Sequence, residues 1–221
     1  MCGVIACATP KLDTNTAVLL AKLFEQSKIR GLHACGYSYL KGGRIETMRC
    51  HSIDQLVGRL GEICSEREGK RLLLIGHTRY STSGDWQNLL NNQPLHIQPE
   101  NGGGIALAFN GCIHMGMREE YEAVYGKKYT TENDGEIFCR KVLDGEDWEG
   151  FVANGSFSFA GVFLRSQGKE ITVIRNKNRP LHIGRLGGTT IIASTRDILW
   201  RAGFPGDDEE LEPCVAHHIS A

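Results

Sequence analysis

Several common features are missing from this sequence. No apolar run approaches the roughly 20 residues that a membrane-crossing helix needs, so no membrane partner is expected. No excess of either charge exists: 25 Lys plus Arg face 26 Asp plus Glu, a formal net charge of -1. Such a balance makes no global positive field to gather nucleic acid, and the three tryptophans form no stacking stripe for single strands. The start lacks the basic region and apolar stretch of a secretory signal, which leaves the cytoplasm as the expected compartment. Among eight cysteines there is no C-x-x-C pair, so the usual zinc spacing is absent. His217, His218 and Cys214 offer three ligands without a fourth, and no metal or cofactor is expected. In a reducing compartment most of the cysteines read as small buried hydrophobes. No internal repeat and no low-complexity tract occurs.

What is present fits an ordinary globular chain. The 221 residues, 41% of them hydrophobic, suffice for a core without covalent staples and suggest one domain over residues 1–221. The 27 scattered glycines suit short elements and tight turns. A short apolar strand is expected over 2–8 and a helix over 14–29, with Ala17, Leu20, Ala21 and Phe24 on one face. Gly42-Gly43 reads as the turn of a hairpin between 34–41 and 44–49. Ile53, Leu56, Val57, Leu60, Ile63 and Cys64 form a helical stripe, capped by Ser52 with Gln55 three residues on. Strands are expected at 72–75 and 105–109, the second ending in the turn dipeptide Asn110-Gly111. Helices are expected at 117–124 and 134–143. Strands follow at 156–164, 170–175, 180–184 and 189–194, then a short helix at 195–202 and an extended segment at 211–219. Gly206 to Glu210 reads as a solvated acidic loop. Strands and helices come in clusters rather than in strict alternation, which favours α+β with antiparallel sheets.

The chemistry begins at Met1-Cys2-Gly3. If Met1 is removed, Cys2 carries a thiol and a free α-amine on one residue. The α-amine titrates near 7.7–8.0, far below lysine, so a base and a nucleophile are supplied together without a histidine. Arg79, just past the apolar strand in Gly76-His-Thr-Arg-Tyr-Ser-Thr82, offers a fork for a carboxylate. Asp134, near a helix start, could pair with an ammonium. An Arg and an Asp together are the least that reads an amino-acid zwitterion. The Asn110 amide with the Gly111 N–H is one way to build an oxyanion hole. Each feature also has an ordinary reading: a small strand residue, a surface ion pair, a helix cap, a bare turn.

Cys2-Gly-Val-Ile, Arg30-Gly31, Gly76 to Thr82, Asn110-Gly111 and Asn133-Asp-Gly-Glu136 occur in the order and approximate spacing of class II glutamine amidotransferase domains. Gly155 to Ala160, Arg179-Pro-Leu-His-Ile-Gly184 and Ile192 to Thr195 extend the resemblance over nearly the whole chain. Gln93-Pro94-Leu95 resembles the phosphoribosyl branch of that family more than the glucosamine branch. The resemblance implies a four-layer α/β/β/α sandwich of two mainly antiparallel sheets, of the Ntn-hydrolase type. It implies Cys2 as nucleophile with its own amine as base, and Asn110 and Gly111 on the oxyanion. It further implies Arg79 and Thr82 on the substrate α-carboxylate, Asp134 on the α-amine, Arg30 shaping the Cys2 pocket and Tyr80 closing the site. The implied reaction takes L-glutamine through a glutamyl thioester to glutamate and ammonia. No synthase segment follows, so the resemblance implies ammonia delivery to a separate synthase subunit.

The sequence departs from the family pattern at Phe109, where a His is frequent, and at Gly135, where Ser or Thr is frequent. These imply retuned activity and a looser loop. Two rival functions share the fold: an N-terminal Cys amidohydrolase acting on another amide, and a non-catalytic regulatory subunit. Arg79 with Asp134 separates the first rival, because only a free amino acid needs both. Retention of Met1 would favour the second.

Overall fold

The computed structural model describes residues 1–82, 84–100 and 102–221. In chain order the strands are β1 (Gly3–Thr9), β2 (Ala34–Lys41), β3 (Arg44–Cys50), β4 (Leu72–Arg79), β5 (Leu95–Ile97) and β6 (Ile105–Cys112). They continue with β7 (Ser158–Arg165), β8 (Glu170–Arg175), β9 (His182–Leu186), β10 (Thr189–Ala193), β11 (Asp207–Glu210) and β12 (His217–Ser220). The helices are α1 (Thr14–Ser27), α2 (Ile53–Glu66), α3 (Arg118–Tyr125), α4 (Gly135–Leu143), α5 (Trp148–Asn154) and α6 (Arg196–Arg201). Caps set two helix starts. Asp13 accepts from the Thr16 N–H at 2.7 Å, and Ser52 from the Gln55 N–H at 3.3 Å.

A seven-stranded sheet runs β11-β9-β10-β1-β4-β2-β3, and a five-stranded sheet runs β12-β8-β7-β6-β5. Every pairing in both is antiparallel. The alternation of side chains along a strand then builds the layers. Val4, Ala6 and Ala8 of β1 and Leu73 and Ile75 of β4 meet Ala106, Ala108, Ala160 and Val162 of the other sheet. Ile5, Cys7, Leu72 and Leu74 point the other way, onto Leu20, Phe24, Leu56, Leu60 and Leu199 of α1, α2 and α6. Leu107, Phe109 and Phe163 turn outward onto Tyr121, Ile137 and Phe138 of α3 and α4. The result is α+β, a four-layer α/β/β/α sandwich with small alanines letting the two sheets approach.

Three sequence expectations need correcting. Arg79 is the last residue of β4 rather than a loop residue beyond it. Asn110-Gly111 lies inside β6, paired with Ala160 and Phe159, and is not a turn. Residues 207–210 form the edge strand β11 and not a solvated loop. Its charges have partners across the edge: Arg196 to Asp208 at 3.0 Å, Arg185 to Glu209 at 2.8 Å and Arg175 to Glu210 at 2.8 Å. The short elements β5 and α5 were not expected from the sequence.

Candidate active site

The parity that builds the sandwich also builds the site. Even-numbered residues of β1 face the opposite sheet, and the same phase carried one step before the strand brings Cys2 to the rim of the inter-sheet space. On β6 the inward set Ala106 and Ala108 continues to Asn110. The backbone N of Cys2 donates to Asn110 Oδ1 at 3.0 Å across 108 residues of sequence. The Cys2 thiol donates to the Tyr80 carbonyl at 3.4 Å. Arg30, in the turn after α1, donates through Nε to the Cys2 carbonyl at 2.8 Å. Ser194 fixes the start of β1, accepting from the Val4 N–H at 2.7 Å.

Asn110 is 2% exposed, and its Nδ2 is buried without a hydrogen-bond partner. Buried amide donors rarely stand unpaired. Here the acceptor half of the amide is spent on Cys2, and the donor half is left without a partner. Gly111 follows for a packing reason: a Cβ there would lie 2.0 Å from the Ser158 carbonyl oxygen of β7. Gly31 is required similarly, since its Cβ would lie 2.2 Å from the Arg79 carbonyl carbon. Burial pushes the Cys2 thiol up. The Tyr80 backbone, the positive chain start, Arg79 and Arg30 oppose that rise.

A cavity of about 690 Å³ opens at this point. Its walls include Cys2, Tyr80, Thr82, Asn110, Gly111 and Cys112. The sequence-named residues Arg79 and Asp134 are not in that wall. They lie behind it, 2% and 3% exposed. The Arg79 guanidinium donates to Asn92 Oδ1. The Asp134 carboxylate accepts from the N–H groups of Ile113 at 2.5 Å and His114 at 3.1 Å. Burial pushes the Asp134 carboxyl up against those two donors, and burial likewise lowers Arg79, against the pull of Cys2 and Asp134. Asp134 immediately precedes α4 but its side chain does not cap the helix. Glu136, fully buried, holds the preceding loop by accepting from the Thr130 and Thr131 N–H groups at 2.9 and 2.8 Å.

Cys2, Asn110 and the cavity beside them form the candidate site, and comparison with known proteins gives the family. A glutamine amidotransferase domain family matches residues 77–201. The chain belongs to the glutamine amidotransferase domain family. Its curated relatives include amidophosphoribosyltransferase of Methanothermobacter thermautotrophicus, 28% identical over 213 residues, covering 87% of this chain and 42% of that protein. Human amidophosphoribosyltransferase is 28% identical over 207 residues, covering 84% and 39%. The chain thus spans less than half the length of these relatives. Among solved structures, the B. subtilis glutamine phosphoribosylpyrophosphate amidotransferase complexed with ADP and GMP superposes with a TM-score of 0.70 at 20% identity, over 96% of this chain and 45% of that one. A glutamine aminotransferase class-II domain protein from Silicibacter pomeroyi gives 0.56 at 13% identity, over 99% and 95%. These likenesses show that the domain has the class II amidotransferase fold, of the Ntn type.

Two features of the candidate site escaped the sequence reading. Cys112 lines the cavity beside Asp134 rather than filling the core. Arg179 also lines it, with a buried Nε lacking a partner. The Arg179-Pro-Leu motif was the available signal for the latter. The departures at Phe109 and Gly135 prove to be one feature. The Phe109 ring turns to the helix side, stacked on Phe159 at 5.3 Å. A Cβ on Gly135 would lie 2.2 Å from that ring. Gly135 is buried and makes room for Phe109, which corrects the expectation of a loosened loop. No helix among the described residues is long and apolar enough to cross a membrane.

Proposed function

We propose that this domain hydrolyses the side-chain amide of L-glutamine through Cys2 once Met1 is removed. Met1 is 65% exposed, so the bond to Cys2 is open to an aminopeptidase. The freed α-amine takes the thiol proton, and Sγ attacks the amide carbon. Asn110 Nδ2 and the Gly111 N–H receive the developing oxyanion. The amine returns its proton to the leaving nitrogen, ammonia departs, and a glutamyl thioester remains. Water, activated by the same amine, releases glutamate.

The observation that carries this reading is the divided Asn110 amide, with its oxygen on the Cys2 nitrogen and its NH2 group unpartnered. Arg79 and Asp134 are assigned to the α-carboxylate and α-amine, with Thr82 beside the former and Tyr80 closing over the bound substrate. Their burial requires the 80–82 and 113–115 segments to shift when glutamine binds. The ammonia is passed to an acceptor on another domain or polypeptide. Free ammonia is mostly protonated in neutral water, so enclosed transfer conserves its nucleophilicity. The domain reading is a single glutaminase unit over residues 1–221, working in the cytoplasm.

The test is intact mass after exposure to a diazoketone analogue of glutamine, with Cys2→Ala as control. Loss of Met1 and one Cys2-dependent adduct are expected; processed protein that takes no adduct would overturn the reading. The buried position of Arg79 and Asp134 favours a second reading, hydrolysis of an amide lacking the free amino-acid head. Undiminished turnover in Arg79→Ala would select it over glutamine.

A further inference from the structure

Cys35 and Cys50 lie outside the site just described, and neither has a role in it. They face each other across the β2–β3 hairpin in direct register. Directly opposed residues of antiparallel strands have Cα atoms about 4.5–5.5 Å apart, inside the range that a disulfide bridges. The two sulfurs are 3.6 Å apart and hydrogen-bonded. Both side chains are buried, 2% and 5% exposed. The Cys50 sulfur also contacts the Ser52 carbonyl at 3.1 Å, at the N-terminal cap of α2. A cavity of about 230 Å³ reaches Cys35 and is also lined by Gly31 and by His51 and Ser52, the neighbours of Cys50 in sequence.

We propose that Cys35 and Cys50 form a reversible dithiol–disulfide site that small hydroperoxides oxidise. The contact with the Cys35 thiol, aided by the Ser52 and Leu56 backbone, lowers Cys50 to about 7 despite burial, while Cys35 is pushed up. The position of Cys50 at the N-terminal start of α2 favours its thiolate, which makes Cys50 the attacking sulfur and Cys35 the resolving thiol. Cys50 Sγ attacks one peroxide oxygen, the O–O bond breaks, and hydroxide leaves a sulfenic acid. Cys35 Sγ then attacks that sulfur, the S–O bond breaks, and the departing hydroxide takes the Cys35 proton as water. Two thiols are oxidised and one peroxide is reduced to two waters. Closure rotates the sulfurs to about 2.05 Å and locks β2 to β3 one residue beyond Ala34, which pairs with Arg79.

A second cysteine pair supplies an internal control. Cys7 and Cys64 lie in one core cluster, and burial raises both thiols and leaves neither as a nucleophile. The experiment treats the reduced full-length protein with graded hydrogen peroxide, then alkylates, digests with trypsin and maps the peptides. The expected product joins peptides 31–41 and 50–59, is lighter by two hydrogens than the reduced pair, and disappears with dithiothreitol. It should form about tenfold faster than any Cys7–Cys64 link at neutral pH, from the difference in thiolate fraction. Cys35→Ser should instead leave a Cys50 sulfenic acid that dimedone captures. Persistence of both thiols after Cys2 and Cys112 are oxidised would overturn the proposal. So would a Cys7–Cys64 link that forms equally fast. Because the mapping is direct, neither outcome depends on glutaminase activity.

Discussion

Chemistry at the residue scale turns on how one amide is divided. Asn110 holds Cys2 with its oxygen and keeps its NH2 group free, which is the state needed before charge develops on a substrate oxygen. Removing one such donor in hydrolases costs about 10²–10³ in kcat. Asn110→Ala should therefore lower kcat for glutamine hydrolysis by about that factor with a smaller change in KM. Steady-state ammonia release checks this, with Met1 removal confirmed by mass so that loss of processing is not mistaken for loss of the donor. An equal loss in Asn110→Gln would fit a geometric role as well as a chemical one. A KM effect alone would count against the oxyanion assignment. The candidate site residues stood out in the sequence as residue types in an order. Their burial was not. Arg79 reads as a pocket fork, yet the strand continues through it and the side chain folds under the wall. Local composition carries no information about which face of a strand end another sheet will cover.

Between elements, the contact of β6 with α4 explains a departure that looked functional. Phe109 and Gly135 are 26 positions apart in sequence, and each alone reads as a loss: one of a hydrogen bond, the other of a hydroxyl. Together they are a ring and the space for it. Gly135→Ser should destabilise the protein by about 1–3 kcal/mol through overpacking. Phe109→His in that background should recover part of the loss, giving a coupling energy that a double-mutant cycle in urea measures. Strict additivity would mean that the two positions are independent. The same scale shows which elements the sequence could announce. The β2–β3 hairpin, α1 and α2 carry their own periodicity and caps, and fall where expected. Asn110-Gly111 was read as a turn because the dipeptide favours one. The run is held straight by β7, whose Ser158 carbonyl leaves no room for a Cβ at Gly111. Acidic β11 read as a loop because its stabilising arginines come from Arg175, Arg185 and Arg196, elsewhere in the chain.

For the whole molecule, the question is what joins two sheets whose facing surfaces are mostly aliphatic. One of the polar ties that cross between them is fully buried: His77 of β4 hydrogen-bonds through Nε2 with the Phe109 carbonyl of β6 at 3.1 Å. A carbonyl accepts only from a protonated nitrogen, so Nε2 carries the hydrogen, and a proton on Nδ1, buried without a partner, would find no acceptor. Burial, reinforced by the charge of Arg79, lowers His77 to about 3. An unfolded histidine titrates near 6.5. Between those two values the unfolded chain binds a proton that the folded chain refuses. Stability is therefore full above about pH 6.5 and falls as pH drops toward 3, by up to ~1.4 kcal/mol per pH unit from this one group. His77→Gln retains a donor for the Phe109 carbonyl and removes the titration. Urea unfolding at pH 7 and pH 5 should show the variant losing about 2 kcal/mol less than the parent on acidification, because carboxylate contributions are common to both. If the two proteins lose stability equally between those pH values, the tie between the sheets is not a neutral histidine and the buried imidazole must keep its proton when folded.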